Sequence, residues 1–347
     1  MRAAFLVGIR QIIVEEVEDP VAPEDGLVMQ VKACGVCGSD LRRWWEGPPA
    51  GVDRITPGHE VSGVVVEIGK SVHGYQLGDR LSLATDIHCD ECYYCHRGMY
   101  NLCDNLRLIG ITPGYPGGFA EKMVLTSEIL TRGIVNHMPD TLSFELGALA
   151  EPWCSILATH ERAGTSLKDT VVVLGAGPAG CLHVATAKAQ GAYVIVSDPS
   201  DTRRQMVQQF GPDVVLDPSS QNTTEEVRSL TGGIGADIVI CANPVAATHA
   251  QAVEMVRKRG QVILYGGLPK ADPMTHLNGN LIHYGEIEVR GAFSYHPTKH
   301  KLALDLLDRG VIPVGRLITH KFPLERIGEA FEAADRGEAL KPLVTSH

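Results

Sequence analysis

Apolar positions in the first half of the chain come in short runs broken by Gly, Pro and Asp, such as Ala3–Val7, Leu27–Ala33 and Glu60–Ile68. Runs of that length and texture predict strands, so this half is expected to be mainly β. Near Glu145 the pattern changes to Ala-rich segments of helical period, and from there short apolar runs alternate with helical ones through Gly291. The runs Thr170–Leu174, Tyr193–Ser197, Asp213–Leu216, Ala236–Cys241 and Gln261–Tyr265 are apolar enough for parallel strands covered on both faces. They predict a doubly wound sheet. Beyond Gly291 a helix over Lys299–Asp308, an extended Leu317–Phe322 and a helix over Leu324–Asp335 are too little for a domain and are expected to pack back on the N-terminal half. The fold class is therefore α/β, with a mainly-β domain of residues 1–147 and 292–347 and a doubly wound parallel-sheet domain of residues 148–291.

The length of 347 residues fits two domains, and 44% hydrophobic with 21% charged residues is the balance of an ordinary globular protein. A formal charge of −10 without a basic stripe argues against a nucleic-acid surface and for a small-molecule partner. The apolar run Ala3–Val7 is too short for the core of a signal peptide, and no run approaches the roughly 18 residues of a membrane span. Nine cysteines without a secretion signal point to a reducing, cytoplasmic setting.

Four of those cysteines, Cys89, Cys92, Cys95 and Cys103, are spaced CxxCxxCx7C, compact enough to wrap one tetrahedral Zn²⁺. Four thiolates leave no open position, so this is read as a structural zinc; the alternative is four buried or disulfide-paired cysteines. Cys34, Cys154, Cys181 and Cys241 lie in apolar contexts and read as small core residues.

Gly175, Gly177 and Gly180 form GxGxxG between the strand Thr170–Leu174 and a helical run from Pro178 to Gln190. Here the turn, the close approach to a pyrophosphate and the helix N-terminus predict a dinucleotide cradle, lined by Pro178 and Ala179 as well. Asp198, at the end of the next strand, is placed to accept from an adenosine ribose and favours NAD over NADP. Arg203 and Arg204 argue the other way, since either could reach a 2′-phosphate.

Cys37, His59 and Glu60 offer three ligands to a second zinc that keeps an open position, as a Lewis-acid catalyst of alcohol oxidation needs. Taken alone, Cys34 and Cys37 are open to reading as a redox CxxC pair and His59 as a core histidine.

In order along the chain, CGVCGSD at Cys34–Asp40, GHE at Gly58–Glu60, the four-cysteine lobe, AEPW at Ala150–Trp153 and VVVLGAGPAG at Val171–Gly180 resemble the zinc-dependent medium-chain alcohol dehydrogenases. Glu151-Pro152 is similar to the polyol branch typified by sorbitol (L-iditol) dehydrogenases, and threonine dehydrogenases share that glutamate. The resemblance implies a GroES-like catalytic domain, a Rossmann cofactor domain, and one catalytic and one structural zinc per chain. It implies Cys37, His59 and Glu60 as catalytic-zinc ligands, and Glu151 as a ligand or the partner of zinc-bound water. Asp40 would fix the tautomer of His59, and Ser39 would relay the substrate hydroxyl proton. The reaction implied is NAD-dependent oxidation of a secondary alcohol in a polyol, sugar alcohol or cyclitol to a ketone, by a homo-oligomer, dimer or tetramer. An L-threonine 3-dehydrogenase-like activity is the alternative within enzymes, and an NAD-sensing protein without turnover the alternative outside them. The chain departs from the family at two places. Arg42 stands where many relatives carry a histidine, and it cannot accept a proton; Ser294, in GAFSY, stands where sorbitol dehydrogenases carry an arginine. Trp44 and Trp45 are either a flat pocket wall for a sugar or cyclitol, or core aromatics.

Overall fold

The computed structural model describes residues 1–345. It divides into one unit of Met1–Cys154, Tyr295–Gly310 and the chain from Val314 onward, and a second of Ser155–Ser294 with Val311–Pro313.

The first unit is built on a mixed sheet of seven strands among the described residues, ordered Ile318–Pro323, Lys341–Thr345, Leu27–Gly35, Glu60–Ile68, Arg80–Ala84 and Ile134–His137, with Lys122–Leu125 also paired to Leu27–Gly35. The closing segment packs back on the N-terminal half as a strand: Lys341–Thr345 runs antiparallel to Leu27–Gly35 and parallel to Ile318–Pro323. Leu27, Met29, Leu81, Leu83, Phe119, Leu125 and Phe331 fill the core beneath it. Trp44 belongs to this core, 5% exposed and edge-on to Phe331 at 5.9 Å, which excludes it as a pocket wall. Trp45 is exposed and its Nε1 donates to Asp335 Oδ1 at 3.0 Å.

Helix Thr298–Asp308 is pinned to the sheet by a polar contact in an otherwise apolar layer. Ser82 Oγ donates to Gly147 O, so it accepts from His300 Nε2 at 3.2 Å, while the Asn136 amide donates to His300 Nδ1 at 3.0 Å. Both ring nitrogens are used by a neutral imidazole, and burial pushes the His300 pKa down to about 3.

The second unit carries six parallel strands in the order Val214–Leu216, Tyr193–Ser197, Thr170–Leu174, Ala236–Cys241, Val256–Leu264 and Glu288–Gly291. Helices such as Pro178–Ala189 and Ala246–Met255 connect them, giving the expected doubly wound sheet. Two features differ from the sequence pattern. The fifth strand begins at Val256 rather than Gln261, because a left-handed Arg259 (φ 56°) forms an irregularity that leaves Lys258 and Arg259 in solvent and hides the strand from an apolar scan. The sixth strand, Glu288–Gly291, carries Glu288 and Arg290 at the sheet edge and shows no apolar run at all.

This unit also buries His160 and His183, whose rings meet through Nε2 and Nδ1 at 3.2 Å. His160 Nδ1 lies 2.9 Å from Thr165 Oγ1. Burial lowers His160 to about 4 and takes His183 well below the ordinary histidine value, helped by His160. Among the described residues, no helix is long and apolar enough to cross a membrane.

These neutral histidines set a pH dependence. Each has a folded pKa below the unfolded value of about 6.5, so the unfolded chain takes up protons first as pH falls. Their stabilisation is complete above about pH 6.5 and is lost on acidification toward pH 4 for His160 and pH 3 for His300. Urea midpoints measured from pH 7 to 4 should fall, and His300→Asn should flatten the slope near pH 5 by about 1.4 kcal/mol per pH unit. An unchanged slope would mean His300 is protonated in the fold.

Candidate metal and cofactor sites

Strand Leu27–Gly35 leads into Cys37 and helix Gly38–Glu46, whose third residue, Asp40, organises the site. Asp40 is 1% exposed; its Oδ2 accepts from Cys37 N–H at 2.9 Å and its Oδ1 from Gly58 N–H at 3.2 Å. The same Oδ1 stands 3.5 Å from His59 Nδ1, a charge contact beyond good hydrogen-bond reach. Ser39 Oγ lies 3.2 Å from the other ring nitrogen, Nε2.

Glu60 opens strand Glu60–Ile68 and pairs in register with Gly35. Only glycine fits there, because a Cβ on residue 35 would fall 2.0 Å from Glu60 Oε2. Glu60 Oε1 is ion-paired with Lys341 Nζ at 2.5 Å, and Lys341 also donates to Val36 O at 3.1 Å. Its partner oxygen, Oε2, is buried without a donor among the described residues. One ligand atom each from Cys37, His59 and Glu60 lies within 4.8 Å of the others.

Glu151, in the first turn of helix Ala150–Ala163, does not join that set at the same spacing. It is buried nearby and accepts from the Tyr295 hydroxyl at 2.6 Å. Burial lifts its pKa to about 7; His59 and Tyr295 oppose the rise, and the charges of Glu60 and Asp86 add to it. At His59 burial works against the proton, but Asp40 and Cys37 outweigh it and hold the imidazole well above its ordinary value. A field that favours a cation, a carboxylate oxygen with no donor, and a thiol–imidazole–carboxylate set together fit a zinc ion with an open position.

In the lobe, the four sulfurs of Cys89, Cys92, Cys95 and Cys103 lie within 4.8 Å of one another and all four residues are free thiols, so the disulfide alternative falls. Backbone N–H groups, first that of Glu91, draw Cys89 down to about 6, while burial pushes Cys103 up to about 12. Cys89 N–H points at Cys103 Sγ at 3.3 Å, and the Asn105 amide at Cys89 Sγ at 3.7 Å. The set fits a closed four-thiolate zinc. Cys34, by contrast, is buried in the core with its pKa raised by burial and by Asp40, and it is not bonded to Cys37.

In the second unit Gly175 takes φ +110°, and a Cβ on Gly180 would lie 1.9 Å from Gly175 O, so strand and helix meet only as glycine allows. Gly177 caps helix Pro178–Ala189, with Pro178 and Ala179 in its first turn, and beyond its chain neighbours no atom of the described residues lies within 4 Å of where its Cβ would be. That open space before a helix N-terminus suits a pyrophosphate. Asp198, 3% exposed, accepts from Ala176 N–H and Ser200 N–H, both at 2.8 Å. Arg204 is committed to Asp198 O, Pro199 O, Asp201 and Asp217. Arg203, 4.0 Å from Asp198 Oδ2 with its side chain 40% exposed, is the freer of the two.

Residues 23–136 match the alcohol dehydrogenase GroES-like domain and residues 178–309 the zinc-binding dehydrogenase family. The chain belongs to the zinc-dependent medium-chain alcohol dehydrogenases. Within the family it is 34% identical to a sorbitol dehydrogenase of Halalkalibacterium halodurans, over 97% of this chain and 96% of that one. It is also 34% identical to an L-threonine 3-dehydrogenase of Pyrococcus horikoshii, over 94% and 92%. A zinc-binding dehydrogenase structure from Sinorhizobium meliloti 1021, bound to NADP, superposes with a TM-score of 0.91 at 31% identity, covering 99% of each chain. Family membership makes the protein a zinc- and nicotinamide-dependent oxidoreductase, and the mainly-β unit a GroES-like domain.

Two residues at the open site were not singled out from the sequence, Lys341 and Tyr295. Lys341 heads the apolar run KPLV, and a lysine in such a strand is a usable signal of a buried anion. Lys341→Met should strand Glu60 as an unpaired buried charge and cost about 3–5 kcal/mol. Adding Glu60→Gln should return most of that loss in denaturant unfolding; a neutral Lys341→Met would show that the pair does not hold the fold.

Proposed function

We propose that the protein is an NAD-dependent dehydrogenase that oxidises a secondary alcohol of a polyol, sugar alcohol or cyclitol to the ketone. The observation that carries this reading is the donor-free Glu60 Oε2 beside Cys37 and His59, with a carboxylate, Glu151, near it. The 34% identity to a sorbitol dehydrogenase supports the substrate class. When bound, zinc supplies Lewis-acid polarisation of the alcohol oxygen and the nicotinamide supplies the hydride acceptor. Cys37, His59 and Glu60 would hold the ion, and Glu151 would bind it or the water on it. Asp40, 3.5 Å from His59 Nδ1, would orient the imidazole, and Ser39 Oγ lies 3.2 Å from its Nε2. Ser39 Oγ would receive the substrate hydroxyl proton and pass it toward solvent, with the exposed Arg42 taking no part as acceptor. Cys89, Cys92, Cys95 and Cys103 would hold a second, structural zinc.

Asp198 favours NAD: both its oxygens are fixed by backbone N–H groups and remain acceptors for a ribose diol. The NADP-bound relative makes Arg203 the residue to watch. We further read the protein as a cytoplasmic homo-oligomer, which the free cysteines and the open strand edge at Glu288–Gly291 support.

A second reading, L-threonine 3-dehydrogenase-like activity, is favoured by the equal identity to the Pyrococcus horikoshii enzyme. Arg42, exposed on helix Gly38–Glu46, is the candidate partner for a substrate carboxylate.

A panel of polyols, cyclitols and hydroxy-amino acids read by NADH absorbance should give turnover with polyols above threonine. Cys37→Ser should abolish turnover and lower the zinc content from two per chain to one; activity retained with every alcohol would end the zinc mechanism. Asp198→Ala should reduce the kcat/KM preference for NAD over NADP by about 10- to 100-fold, the worth of a charge-assisted hydrogen bond. An unaltered preference would place the discrimination elsewhere.

A further inference from the structure

The four-cysteine lobe is joined to the segment that holds Glu151 by a series of rings within the first unit. Tyr100, in the turn Tyr100–Leu102 between Cys95 and Cys103, has the His88 ring 4.4 Å away and the His296 ring 5.2 Å away. His88 directly precedes the ligand Cys89, and its Nε2 is 3.0 Å from Asp90 Oδ1. Asp90 itself turns the chain between Cys89 and Cys92 in a left-handed conformation, φ 64°. The orientation of His88 is therefore set by the lobe.

At the other end, His296 Nδ1 is held by Thr298, 2.9 Å from its Oγ1 and 3.3 Å from its N–H, at the start of helix Thr298–Asp308. His296 follows Tyr295, whose buried hydroxyl donates to Glu151 Oε1 at 2.6 Å. Ser294, just before, also sits in the left-handed region with φ 50°, so this segment is over-determined rather than slack. Ring pairs at 4.4–5.2 Å are in the range where aromatic contacts are directional.

We propose that the four-cysteine lobe positions Glu151 at the open site through His88, Tyr100 and His296, ending in the Tyr295 hydroxyl. Tyr100 and Tyr295 are positioning residues, and the closed site has a use beyond bracing its own loop. Outer partners of metal ligands commonly govern metal retention by 10- to 100-fold, so the effect is to be read on the zinc itself. The inference rests on the open site holding zinc as read above.

The test uses the full-length protein loaded with zinc and a chromogenic chelator, with Cys37→Ser identifying which zinc belongs to the lobe. Tyr100→Leu and Tyr295→Phe should each release the open-site zinc about 10-fold faster while the lobe keeps its own. The double variant should be no faster than the faster single, because both act on one path. A wild-type release rate in Tyr100→Leu, or rates that multiply in the double variant, would overturn the proposal. Should Tyr100→Leu also lose the lobe zinc, His296→Leu breaks the series outside the lobe and carries the same expectation, with the same result overturning it. Tyr100→Phe, which keeps the ring, should behave as wild type. A wild-type protein that binds only the lobe zinc would instead refute the open-site reading, which separates the two failures.

Discussion

The ion pair between Glu60 and Lys341 is the contact on which the first unit turns. Both residues are almost wholly withdrawn from water, 0% and 2% exposed, and each charge is tolerable only because the other is 2.5 Å away. The pair fastens strand Lys341–Thr345 beside Leu27–Gly35 and fixes one oxygen of Glu60, which decides where the other oxygen points. Gly35 completes the constraint by leaving room for that oxygen. The geometry of the Cys37, His59 and Glu60 set thus follows from an electrostatic requirement of the sheet beneath it.

Asp40 and Asp198 solve the same problem in different units. Each is buried, and each is held by two backbone N–H donors before any ligand arrives. A carboxylate tied in this way loses little freedom on binding, so its selectivity is built into the loop rather than acquired with the ligand. At Asp40 the consequence is a carboxylate held 3.5 Å from His59 Nδ1, and at Asp198 one held beside the glycine turn.

What was legible in the sequence was what is local. The lobe cysteines span 15 positions and the glycines of the dinucleotide turn only six, so their spacing already encodes their geometry. Strand Glu60–Ile68 and strand Ala236–Cys241 have the bounds their apolar runs suggest. Illegible were contacts made across long separations: Lys341 meets Glu60 from 281 residues away, and Tyr295 meets Glu151 from 144. Trp44 could not be assigned to pocket or core until Phe331 was seen beside it. The extension at Val256 was hidden because its middle residues are charged and solvated, and periodicity registers burial rather than hydrogen bonding.

The late position of Lys341 also orders events during synthesis. The second unit, apart from Val311–Pro313, is complete once Ser294 has been added, whereas Glu60 has no counter-charge until the ribosome has released a segment almost fifty residues further on. A nascent chain can therefore own a finished nucleotide fold while Glu60 is still an unbalanced carboxylate. Lys341 is the chain's own answer to that negative charge, and it comes late.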